Sequence, residues 1–474
     1  MWGQRQRWPI PGAVRNIVAR TISRSLPADL SRPDEWPRPL IVDVQGDTTH
    51  SPKTSAAADE ALVLPASRRD SPWPDTPRQL RCMVATGTLN LGGLEIVALF
   101  LARGLPSHGL DTVLAHTPLA HSGERPADSL RLDGVPLVTL HEHDVRLWLE
   151  THRPDIVSMH DPPDWLVTAA AEARIPTIET LHGLHFLFDE DTWRGEQRRS
   201  QEITGFVAVS ELVRRQYLKA VAGYPPERIV TIPCGVDNRH IISRDRSEAR
   251  RWLGLGNEFV FVSLARYALV KNTFGLVTAF SDVAHAYPEA RLLLAGGIFE
   301  PHYFEQVRRL RNSLRCASQI HLHGPSPDVS TLLAAADAFV LDSFFEAGPL
   351  ASMEALCAGL PVVLSDVGWA REQVGENRRR GFVVNNPLGD PDAVDLPAMT
   401  RARFTSQTNR TALVEAMCGL VAERDHWRQA REELKAESTN RFSLDVCLQR
   451  HAEVLKRATV NVSASVRLKA TRSD

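Results

Sequence analysis

Between residues 342 and 366 the chain runs Asp-Ser-Phe-Phe-Glu-Ala-Gly-Pro-Leu-Ala-Ser-Met-Glu-Ala-Leu-Cys-Ala-Gly-Leu-Pro-Val-Val-Leu-Ser-Asp, and no other stretch restricts the fold as much. An apolar run at 338–341 leads into it and a second lies at 361–364. Pro349 stands just inside the start of the intervening helix and Gly359 just past its end, the asymmetry that gives a helix its direction. A strand, a helix and a strand with such short connections form the pattern of a parallel sheet.

That helix is apolar almost all round, with Leu350, Ala351, Met353, Ala355, Leu356, Cys357 and Ala358 leaving only Ser352 and Glu354 polar. A helix of this kind is buried, and a carboxylate on it is costly unless something hydrogen-bonds to it. Glu346 is a second acid, aimed at the same end from the preceding loop. The free N–H groups of the first helical turn, after Gly348 and Pro349, offer an anion site between the two acids. This combination suits a polyhydroxylated, phosphorylated ligand, a description that a nucleotide sugar meets. A solvated Glu354 and a turn-capping Glu346 would explain either acid alone, so the weight of the motif depends on the rest of the chain.

At 474 residues the chain exceeds one hydrophobic core, and two domains are expected. A net charge of −2 gives no whole-chain reason to expect nucleic acid. The six cysteines are scattered without a Cys-x-x-Cys pair, and several lie in apolar runs, which favours buried free thiols in a reducing compartment. No apolar run approaches the ~18 residues of a membrane-spanning helix. The expected location is the cytoplasm.

Residues 1–78 are rich in Pro, Arg, Ser and Asp with little periodicity, and read as a largely disordered tail. Its first 25 residues carry five arginines and no acid. The stretch 13–26 fits a basic amphipathic helix on the inner face of an anionic membrane, or a solvated basic tail, the commoner outcome. No apolar core follows the charges as in a secretory signal.

An N-terminal domain is expected over 79–238 and a C-terminal domain over 239–442. A helix at 443–458 would complete the first, and 459–474 would be a disordered tail. The first domain opens with a strand at 80–86 and the turn Gly87-Thr-Leu-Asn-Leu-Gly-Gly-Leu-Glu95, where Gly92 and Gly93 let backbone approach a ligand or simply make a tight turn. Further strand-like runs fall at 112–115, 135–140, 155–160, 177–182 and 206–210. Such alternation argues for a doubly wound sheet, whose ligands bind beyond the C-terminal strand ends. His160 and His182 both fall there, with His182 favoured because Gly183 follows it. A charged linker at 239–258 precedes a strand at 259–265 and the loop Arg266-Tyr-Ala-Leu-Val-Lys271-Asn272. Arg266 and Lys271 are placed to hold a diphosphate beside a helix start. Residues 409–439 read as one helix. Two α/β domains of this kind are expected to place their ligand in a cleft between them.

Taken in order, these segments resemble the retaining nucleotide-sugar glycosyltransferases of the GT-B fold, family four (glycosyl transferases group 1). The resemblance runs from about Leu80 to Lys456. It rests on Gly92-Gly93-x-Glu95, Thr180-x-His182, Val209-Ser210-Glu211, Ile232-Pro-Cys-Gly-Val-Asp237, Arg266 with Lys271, Glu346 to Glu354 with seven residues between, and Gly359-x-Pro361. Cys234 and Trp369 depart from an asparagine and a glycine common at such positions.

The resemblance implies an α/β fold of two Rossmann-like domains and a hexosyltransferase that uses a nucleotide diphosphate sugar (a UDP- or GDP-sugar). The acceptor would be a hydroxyl of a glycan, glycolipid or small molecule, as in polysaccharide, glycolipid or glycoconjugate biosynthesis. Arg266 and Lys271 would bind the diphosphate, Glu346 and His182 would meet the transferred sugar, and Glu354 would hold the ribose. The backbone at Gly348, Pro349 and Leu350 would hold phosphate, and the Gly92-Gly93 loop would close over it. Retention without a metal or other cofactor is implied, and no Asp-x-Asp pair suits a metal. The alternatives are a GT-B epimerase, which would need an acid/base pair that is not evident, and a non-catalytic nucleotide-sugar-binding relative, which should have lost a cation or an acid.

Overall fold

The computed structural model describes residues 63–64, 71–73, 79–87, 89, 93–118, 132–238, 241, 244–326 and 328–470, with the side chains of 63–64, 184, 186 and 461–470 left aside. These residues form two compact units, one from 63–235 with 444–470 and one from 236–443.

The first unit is built on a parallel sheet of β1 (Val63–Leu64), β2 (Leu80–Thr86), β3 (Leu110–His116), β4 (Leu137–Thr139), β5 (Ile156–His160), β6 (Thr177–Leu181), β7 (Gly205–Ala208) and β8 (Ile229–Thr231). Its order is β1-β4-β3-β2-β5-β6-β7-β8, so the direction of winding reverses between β2 and β5. Residues 82–86 of β2 and all of β3 and β5 are buried, as expected for strands covered on both faces. The Leu444–Ala470 helix packs onto this unit. Leu448 lies against Gly104, where an added Cβ would come within 2.3 Å of the leucine. His108 meets Asp445 at 3.1 Å, and Arg450 donates to the Thr231 carbonyl at 2.8 Å.

The second unit has β9 (Phe259–Leu264), β10 (Ala290–Ala295), β11 (Ile320–His323), β12 (Ala338–Leu341), β13 (Val362–Ser365) and β14 (Gly381–Val384), all parallel. The order β11-β10-β9-β12-β13-β14 reverses between β9 and β12. The 342–366 stretch has the expected form, with a Leu350–Cys357 helix between β12 and β13. Gly359 follows at φ +79°, a left-handed turn that a side chain would strain.

Several expectations are corrected. The 1–78 tail is not wholly outside the fold, because β1 pairs with β4 in register Val63↔Leu137. Trp73 is buried, its Nε1–H donating to the His152 carbonyl at 2.9 Å and its ring lying 6.5 Å from that of Trp148. Flanking prolines hid this anchor. Residues 1–62, with the basic stretch, lie outside the described residues. At the other end the helix runs to Ala470, since no Gly or Pro after Lys456 stops it. The 239–258 linker contains a helix, Arg246–Trp252, capped by Asp245. The single helix at 409–439 is two, Arg410–Ala422 and Arg424–Arg441, meeting at Glu423 without a Gly or Pro to announce the break.

Candidate active site

The reversal between β9 and β12 puts two loops side by side at the carboxyl ends of neighbouring strands, where doubly wound sheets bind ligands. The loop after β9 carries Arg266 and Lys271, and the loop after β12 carries Glu346. Lys271 Nζ lies 2.6 Å from Glu346 Oε1, which also accepts from the Ser343 hydroxyl at 2.7 Å. Glu346 is buried and Lys271 nearly so. The guanidinium of Arg266 stands over the ring of Phe299, 4.8 Å from its centroid.

The Leu350–Cys357 helix starts at Pro349 with no side chain capping its first turn. Instead the Ser352 hydroxyl turns to the Pro349 carbonyl and to Gln373. The first-turn amides after Gly348 therefore have no side-chain acceptor, and the helix dipole favours an anion there. Glu354 sits one turn further along. Burial raises its pKa, and among the described residues its carboxylate has no hydrogen-bond partner. A half-buried acceptor of this sort is suited to hydroxyl donors brought by a ligand.

Residues that local pattern did not reveal hold this frame. Asn272, at φ +49°, ends the turn carrying Lys271 and precedes the Thr273–Ala286 helix. Its amide donates to Asp342 Oδ2 at 2.8 Å, while Asn409 donates to Asp342 Oδ1 at 2.6 Å. Asp342 is buried, and burial pushes its pKa up to about 8 against the pull of the two amides. Gly296 packs against the Arg266 loop so closely that a Cβ would lie 1.9 Å from the Ala265 carbonyl oxygen. The Glu300 carboxylate accepts from Leu269 N–H at 3.0 Å and steadies the same loop.

In the first unit His182 follows β6 and precedes Gly183, which turns the backbone at φ +77°. The Nε2 of His182 lies 2.9 Å from Nδ1 of His160, the last residue of β5. A pocket of about 400 Å³ empty volume opens beside His182 and is lined also by Glu179, Glu196 and Arg199. Arg199 binds Glu179 at 2.7 Å, Asp164 at 3.1 Å and Glu196 at 3.2 Å. Burial pushes Glu179 up to about 8 although Arg199 opposes it. Gly93 opens the Gly93–Gly104 helix, whereas Gly92 lies outside the described residues. Of the ten residues expected at the site, Lys271 and Glu346 touch directly. Arg266, Gly348, Pro349, Leu350 and Glu354 share their sheet end, and His182 and Gly93 belong to the other unit.

Two family models match this chain. The model for glycosyltransferase family 4 covers residues 91–240, and that for glycosyl transferases group 1 covers 245–395. An uncharacterized glycosyltransferase of Methanocaldococcus jannaschii is 28% identical over 110 residues, 23% of this chain and 26% of that protein. D-inositol 3-phosphate glycosyltransferase 1 of Catenulispora acidiphila is 26% identical over 238 residues, 45% of this chain and 56% of its own length. The chain thus spans from about a quarter to just over half the length of these curated relatives. HepE of Anabaena, crystallised with UDP and glucose, superposes with a TM-score of 0.64 at 17% identity, over 80% of this chain and 100% of that one. Sucrose-phosphate synthase of Thermosynechococcus elongatus superposes at 0.60 with 16% identity, over 81% and 100%. The fold is GT-B.

Proposed function

The chain belongs to glycosyltransferase family four, the group 1 glycosyl transferases, and from that membership we propose that it moves a hexosyl unit from a nucleotide diphosphate sugar to an acceptor hydroxyl with retention of configuration. The observation that carries the reading is the Lys271–Glu346 contact at the reversal of the second sheet, beside a helix start whose amides have no side-chain cap. A diphosphate takes Arg266 and Lys271 as counter-charges, and its oxygens accept from the amides after Gly348 and Pro349. As the bond from the sugar C1 to the diphosphate breaks, the leaving oxygen gains charge, and fixed cations stabilise that charge. Glu354 accepts from the ribose hydroxyls. Glu346 and His182 meet hydroxyls of the transferred sugar. The acceptor oxygen attacks the same face of C1 that the diphosphate leaves, and its proton departs with the leaving group.

Two cations supply the charge that a divalent metal supplies in other transferases, so the reaction proceeds without a metal or other cofactor. The acceptor is a glycan, glycolipid or small molecule in polysaccharide, glycolipid or glycoconjugate synthesis, and the enzyme works in the cytoplasm or at the inner membrane face. Release of nucleoside diphosphate from UDP-, GDP-, ADP- and dTDP-sugars, with mixed glycan and glycolipid acceptors, tests the reading. Turnover with one donor that falls roughly 100-fold or more in Lys271→Ala supports it. No release from any donor sinks it.

A further inference from the structure

We propose that His160 is a positioning residue for His182: the two imidazoles share one proton, and with Ser158 behind them they hold His182 in a single tautomer and ring orientation. The inference rests on the reading that His182 meets the transferred sugar.

His160 closes β5, one of the two strands that flank the reversal in the first sheet, and its side chain is completely buried. Its Nδ1 lies 2.9 Å from His182 Nε2, and its Nε2 lies 3.3 Å from the Ser158 hydroxyl, two residues back on the same strand face. A nitrogen–nitrogen contact of that length needs one N–H donor and one bare acceptor. Burial, with His182 and His451 close by, holds the pKa of His160 well below the usual histidine range, so the ring is neutral and carries one proton. If that proton is on Nδ1, it is donated to His182 and Ser158 donates to Nε2. If it is on Nε2, it goes to Ser158 and His182 donates. In either arrangement the tautomer of His182 is tied to that of His160.

His182 directly follows β6, which ends at Leu181, and the chain turns at Gly183. His160 fixes the His182 ring from inside the sheet. His451, buried on the Leu444–Ala470 helix, is near enough to His160 to act on it electrostatically. A hydrogen bond to a sugar hydroxyl depends on ring direction within roughly 10–20°.

The test uses the full chain with ¹⁵N-labelled histidine. Its 17 histidines are resolved in long-range proton–nitrogen spectra, and the His182 signals are identified by their loss in His182→Ala. Wild type and His160→Asn, whose amide can replace Nδ1 as donor or acceptor, are expected to show one set of ring-nitrogen shifts at His182, without averaging. His160→Phe should show averaged shifts, and Ser158→Ala a smaller change in the same direction. With whichever nucleotide sugar proves active, kcat of His160→Phe should fall about tenfold or more while donor KM stays within about twofold, and His160→Asn should recover most of the loss. Unchanged His182 nitrogen shifts in folded His160→Phe overturn the proposal. If that variant does not fold, unchanged shifts in Ser158→Ala overturn it. Full turnover in His182→Ala would instead overturn the sugar-contact role, leaving the tautomer result to judge the pairing.

Discussion

At 2.6 Å, Lys271 and Glu346 neutralise one another in a largely buried setting, and each is what makes the other tolerable there. Lys271→Ala leaves Glu346 with the Ser343 hydroxyl alone. It is therefore expected to lower kcat roughly 100-fold while donor affinity, measured by calorimetry, weakens about tenfold or less. Wild-type turnover in that variant would remove Lys271 from the leaving-group role. Asp342 makes a prediction of its own. Burial lifts its pKa from 3.8 to about 8, so the folded chain holds a proton there that the unfolded chain has released. An acid raised in this way weakens the fold as pH rises between those values, because the unfolded state binds fewer protons in that interval. Glu179, also pushed up to about 8, acts in the same direction. The Tm should fall from pH 5 to pH 8, and Asp342→Asn should flatten the decline, which a set of thermal melts checks.

Among the elements, parallel strands announce themselves because both faces are buried, which makes them near-continuous apolar runs. The runs around 206–208, 259–264 and 338–341 read that way, as did the helix bracketed by Pro349 and Gly359. What stayed hidden is held together across the sequence. Asn272 and Asn409 reach Asp342 from 70 and 67 residues away, and no local period marks them. Lys271 and Glu346 were legible as chemistry, each in a strand-end loop, but their contact across 75 residues follows only from the strand order. Trp73 was hidden differently, since a lone aromatic among prolines has no periodicity to declare a strand or helix. Its burial makes it an anchor against the Val145–His152 helix. Trp73→Ala is expected to destabilise the first unit by about 3 kcal/mol, read from urea unfolding. A change under about 0.5 kcal/mol would mean that the segment adds nothing to the fold.

For the molecule as a whole, the proposed chemistry depends on two protein cations. Turnover should therefore survive EDTA within about twofold, and a loss that Mg²⁺ or Mn²⁺ restores would contradict metal independence. A truncation that asks whether the arginine-rich N-terminus binds membranes should end at residue 58, keeping β1 and Trp73. Loss of sedimentation with anionic vesicles in that variant supports peripheral contact, and unchanged sedimentation argues against it. The central claim is that the second unit binds a nucleotide diphosphate sugar at the start of the Leu350–Cys357 helix, with Glu354 on its ribose. A thermal-shift screen of wild type and Glu354→Gln against UDP-, GDP-, ADP- and dTDP-sugars tests it most directly, because a ligand that binds only the folded state raises the apparent Tm. The account predicts a rise with one nucleotide that shrinks in Glu354→Gln. No rise with any nucleotide, or an equal rise in both proteins, would contradict it.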